Sequence, residues 1–109
     1  SSISRFLLVL TELSKAGISL IESLEIANGI LENAILKEKI DGVIREINQG
    51  QSLTYALTKA DLLDNITLQM ISAGEEAGNL DTMLSNASAY YKNQFDQIVD
   101  GVGDAIEPI

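Results

Sequence analysis

Apolar residues recur along this chain in the i, i+3, i+4, i+7 rhythm of helices that bury one face, and six such stretches can be read. Ile3, Phe6, Leu7, Leu10 and Leu13 form the first stripe, which Ala16-Gly17 ends. Ser19, with Glu22 three residues on, makes a capping box for the second helix, whose stripe is Leu20, Leu24, Ala27 and Leu31, widened by Ile21. Asn33 caps a third helix carrying Leu36, Ile40, Val43 and Ile47, and Gln49-Gly50 stops it. A short fourth helix over residues 52–59 buries Leu53, Ala56 and Leu57. Asp64 caps a fifth, which carries Ile66, Met70, Ile71 and Ala77 and closes at Gly78. The sixth is expected to run over residues 80–107, with Leu84, Ala87, Tyr91, Phe95 or Ile98, Val102 and Ile106 on its apolar side. At 1.5 Å per residue it would span about 40 Å before Pro108 blocks it.

Gly17, Gly50 and Gly78 stand at the reversals, where left-handed backbone is needed. Connections this short make neighbouring helices antiparallel. The expected fold class is therefore all-α, a compact antiparallel six-helix bundle formed as one domain by residues 1–109. The first and fifth helices both end in Ala-Gly, a faint internal echo, although the apolar registers that follow differ by one position.

Composition narrows the chemistry. The chain has neither cysteine nor histidine, so it lacks disulfides, the usual zinc ligands and the usual general base at neutral pH. No cofactor is expected. A net charge of −9, with only seven Lys and Arg residues, speaks against nucleic acid and favours a basic protein surface as partner. The run Phe6-Leu7-Leu8-Val9-Leu10 is far too short to cross a bilayer, so the segment is expected to be soluble. A positive mean hydropathy in so acidic a chain nevertheless points to more apolar surface than one small core uses.

Two places carry candidate sites. Glu75, Glu76 and Asp81 lie within one turn region, where carboxylate oxygens could hold a hard cation or present charge to a partner. Against the cation reading, Asp81 falls in the first turn of the sixth helix, where the helix dipole favours a negative charge. Leu8 and Val9 stand off the stripe of the first helix, which makes them candidates for an interface, including one with a second copy of the chain as a homodimer. Gly101-x-Gly103 follows no strand and lacks the Gly-Lys-Ser/Thr ending of a phosphate loop.

Three segments then carry a resemblance. They are Leu13-Ser14-Lys15-Ala16-Gly17-Ile18-Ser19-Leu20-Ile21-Glu22-Ser23-Leu24, Gly50-Gln51-Ser52-Leu53-Thr54-Tyr55-Ala56-Leu57, and Met70-Ile71-Ser72-Ala73-Gly74-Glu75-Glu76-Ala77-Gly78-Asn79-Leu80. In order and spacing the chain resembles the GspF/PilC family, the inner-membrane platform proteins of type II secretion and type IV pilus machines. Asn33 and the pair Glu107-Pro108 are similar to features of the family's second, C-terminal cytoplasmic domain. One departure is Leu63-Asp64, where an aromatic-proline pair is usual.

The resemblance implies a segment of a multi-pass protein, cut just before the bilayer, at the cytoplasmic face of the bacterial inner membrane. It implies a non-enzymatic scaffold that couples the assembly ATPase to pilin or pseudopilin, alongside other inner-membrane platform proteins. In that setting Glu75 and Glu76 would be partner-binding. The alternatives from residues alone are a stand-alone acidic helical adaptor and a structural cation-binding helical domain.

Overall fold

The computed structural model describes residues 1–96. Six α-helices form among them: α1 Ser2–Lys15, α2 Leu20–Gly29, α3 Ala34–Asn48, α4 Leu53–Ala60, α5 Asn65–Ala77 and α6 Leu80–Tyr91. Side chains start five of these helices. Ser1, Ser19, Asn33, Ser52 and Asp64 each accept a hydrogen bond from the backbone N–H three residues ahead. Each such cap satisfies a donor that the first turn leaves without an intrahelical partner, and contributes about 1 kcal/mol. α6 differs, since Asn79 makes no side-chain cap bond.

Connections of two to four residues separate the helices, too short for anything but a reversal of direction. Each helix packs on its neighbour in the chain, the most extensive contact joining α5 to α6, and α6 returns onto α1 to close the bundle. The stripes read from the sequence meet inside it. Phe6, Leu7, Leu10, Leu24, Ile40, Leu53, Leu57, Ile71 and Leu84 are buried in one cluster, each large aliphatic contributing roughly 1.5–3 kcal/mol relative to exposure. Thr11 is buried as well, and its hydroxyl donates to the Leu7 carbonyl at 2.8 Å. Between α2 and α3, Asn28 Nδ2 donates to Asp41 Oδ1 at 2.7 Å and Lys37 Nζ donates to the Asn28 carbonyl at 2.9 Å.

Two expectations need correction. The buried face of α5 is Thr67, Ile71 and Gly74, while Ile66 is 50 % exposed and Ala77 is exposed. Hydropathy favoured Ile66 over its polar neighbour. Thr67 can enter the core because its hydroxyl donates to the capping carboxylate of Asp64 and so is not buried unpaired.

The other correction concerns α6, which ends as an α-helix at Tyr91 and continues as a π-helical turn, Lys92–Asp96. The wider turn puts the next residues out of register with the apolar stripe. Phe95 is accordingly 41 % exposed and lies against Tyr91, with ring centroids 4.6 Å apart. Ile98, Gly101, Val102, Gly103, Ile106, Glu107 and Pro108 lie outside the described residues. Among those described, no helix is long and apolar enough to cross a membrane.

Candidate functional site

The corner where α5 ends and α4 begins is organised by one carboxylate. Ser52 caps α4 through the Tyr55 N–H, which leaves the amides of Leu53 and Thr54 without an intrahelical acceptor. Glu75, in the last turn of α5, supplies it. Its Oε2 accepts from the Leu53 N–H at 2.6 Å, and its Oε1 accepts from the Thr54 N–H at 3.0 Å and the Thr54 hydroxyl at 2.7 Å. A full negative charge thus sits on the N-terminus of α4, where the helix dipole favours it, through charge-assisted hydrogen bonds.

Glu76 takes a different course. Successive helical residues point about 100° apart, and Glu76 is exposed, with no hydrogen bond or ion pair to another described residue. It borders a surface depression of about 480 Å³ shared with Ser52, Tyr55 and Ser72. Asp81 is exposed in the first turn of α6, where its Oδ1 accepts the Thr82 N–H at 2.8 Å. The three carboxylates are therefore not gathered into one ligand set. Among the described residues no three His, Cys, Asp or Glu side chains are grouped to hold a metal ion. As weak candidates for a cation, Glu75, Glu76 and Asp81 are divided, Glu75 turning to α4 and Asp81 to its own helix.

Backbone geometry fixes the corner. Gly78 caps α5 with φ of 75°, a left-handed conformation that costs most residues about 1–2 kcal/mol. The N–H groups of Gly78 and Asn79 both donate to the Gly74 carbonyl, the latter at 3.0 Å. Gly74 itself is buried. A Cβ there would stand 2.5 Å from the Met83 Cβ and 3.2 Å from the Leu80 Cα, so this glycine sets how closely α5 and α6 approach. Gly17 and Gly50 also have positive φ, 84° and 98°.

The remaining candidates separate. Leu8 is 51 % exposed on the outside of α1, whereas Val9 is half-buried against the core. Sequence reading missed the partners of Glu75, since a carboxylate that caps a helix 22 residues earlier leaves no local spacing signal. It named Gly74 only within the third matching segment and not as a point of close backbone approach, although a glycine inside a helical pattern is a cue for one. Ile35, 71 % exposed, went unnoticed because it lies beside the α3 stripe rather than on it.

Comparison with known proteins bears on all of the chain. The profile of type II secretion system (T2SS), protein F matches residues 6–109. The type IV pilus assembly protein PilC of Pseudomonas aeruginosa is 28 % identical over the whole chain, which covers 29 % of that relative. PilC of Thermus thermophilus is 31 % identical over the whole chain, covering 27 % of that relative. The type II secretion system protein F of Aeromonas hydrophila is 29 % identical over 97 % of the chain, covering 26 % of that relative. The chain thus spans between a quarter and a third of the length of these curated relatives.

Proposed function

Because the chain belongs to the type II secretion system protein F family, we propose that it is a non-enzymatic scaffold domain at the cytoplasmic face of the bacterial inner membrane. There it couples the assembly ATPase to pilin or pseudopilin assembly, beside other platform proteins of the same machine. The observation that carries this reading is the match along nearly the whole chain to proteins of both type IV pilus assembly and type II secretion.

The geometry supports a mechanical role. Glu75 ties α5 to α4, Gly74 seats α5 on α6, and α6 closes on α1, so load applied at one helix is passed through packed contacts to the others. Glu76 is the charge this corner leaves exposed to a basic partner surface. Capture of the cognate assembly ATPase by the immobilised chain tests the reading. Capture should occur at low salt, fall as salt rises and fall further with Glu76→Lys. Absence of capture by the wild-type chain, or capture indifferent to both salt and Glu76→Lys, would overturn it.

A further inference from the structure

α1 packs on α2 and α6 and turns Arg5, Leu8, Glu12 and Lys15 outward, at the three- and four-residue spacing of one helix face. Leu8 is the large apolar residue of that face and is 51 % exposed. Beside it a depression of about 320 Å³ runs between α1 and α6. Ser4 and Ser88, both buried, line it with Leu8, and their small side chains let a second helix come close. Lys92 and Asp96 line it too and offset one another in charge.

The charges on this face follow a two-fold pattern. Arg5 precedes Leu8 by three residues and Glu12 follows it by four, so the pair spans two turns, about 10.5 Å. Arg5 makes no ion pair with another described residue, and the contact of Glu12 with Lys15, at 4.0 Å between exposed groups, is a weak one. Reversing the helix about a point between residues 8 and 9 maps position 5 onto 12 and position 15 onto 2. Two copies of α1 laid antiparallel across that point therefore set Arg5 of each against Glu12 of the other. Lys15 then falls opposite Ser2, so no like charges meet. A parallel alignment would set Arg5 against Arg5 and Glu12 against Glu12.

We infer that the outer face of α1 binds a second copy of this chain as an antiparallel, two-fold pair. Leu8 meets Leu8 near the axis, and the two Arg5–Glu12 pairs flank it and set the alignment. Each copy carries a net charge of −9, and the mutual repulsion disfavours faces that lack such pairs. The inference stands apart from the platform reading, since self-association needs no other component.

Sedimentation equilibrium of the 109-residue chain tests it. The wild type is expected to form a concentration-dependent dimer, and Leu8→Glu to sediment as a monomer. Arg5→Glu and Glu12→Arg should each weaken the dimer several-fold, because the two-fold axis repeats each change. The two changes in one chain should restore it, and so should an equimolar mixture of the two single variants. Ile66→Ser, at an exposed site on α5, should leave the dimer unchanged, and circular dichroism should show every variant folded. A wild type still monomeric at about 1 mM overturns the proposal, as does a dimer that Leu8→Glu leaves intact. Failure of the exchanged charges to restore association overturns it as well. ATPase capture without self-association would remove this inference and leave the platform reading standing; self-association without capture would do the reverse.

Discussion

The Glu75 carboxylate holds the Leu53 amide at 2.6 Å, joining the last turn of α5 to the first residue of α4. α4 has only eight residues, well short of the roughly 12–15 that make an isolated helix even marginal in water. Its start therefore depends on contacts from outside, and Glu75 supplies the charged one. Glu75→Gln keeps the size of the side chain but removes the charge and turns an amide donor toward backbone donors. It is expected to cost about 1.5–3 kcal/mol in urea denaturation. Glu76→Gln, one residue away and exposed, is expected to stay within about 0.5 kcal/mol of wild type.

Gly74→Ala sets two effects against each other. Alanine gains up to about 1 kcal/mol of helix propensity, but its Cβ would lie 2.5 Å from the Met83 Cβ. Overpacking costs of about 1–3 kcal/mol decide the sign, so destabilisation is expected in thermal or urea melts. Trimming Met83 to Ala removes the Cγ, 2.9 Å away, but should not restore stability, because the nearest clash, at 2.5 Å, is with the Cβ that alanine keeps and the Leu80 Cα stands at 3.2 Å.

Burial, and then the carboxylates of Asp96 and Asp64, hold the Tyr91 phenol above its ordinary pKa of 10.0. A group whose folded pKa is raised keeps its stabilising contribution below the unfolded pKa and loses it as pH rises through the folded one. Wild-type stability should therefore fall relative to Tyr91→Phe only above about pH 10. Urea midpoints of the two proteins at neutral pH and at about pH 11 check this, and a difference that does not change between them would contradict it.

Leu8 and Val9 should part company under mutation. Leu8→Glu changes an exposed position and is expected to alter stability by less than about 0.5 kcal/mol. Val9→Glu places a charge against the core and should lower the urea midpoint markedly. If the outer face of α1 joins two copies, Leu8→Glu will also shift sedimentation toward monomer with the helical signal intact.

Most of the bundle was legible because its signals are local. Ser19, Asn33, Ser52 and Asp64 announce helix starts through their own side chains, and Leu36, Ile40 and Val43 announce a buried face through spacing alone. What escaped depends on tertiary context. Thr67 belongs to the core only because Asp64 takes its hydroxyl proton, which hydropathy does not register. The π-turn after Tyr91 has no distinct spacing in Lys92-Asn93-Gln94-Phe95-Asp96, so the stripe read straight through it. At the candidate site, Glu75 and Glu76 were legible as an acidic pair, but their division of labour was not. Only the approach of α4 to α5 shows which of the two is occupied.

That division is tested most directly by amide hydrogen exchange at Leu53 and Thr54. Protection of both amides is expected in the wild type and in Glu76→Lys, and rapid exchange of both in Glu75→Gln while the core amides of α1 and α6 stay protected. Equal protection in all three proteins would show that Glu75 does not hold the start of α4.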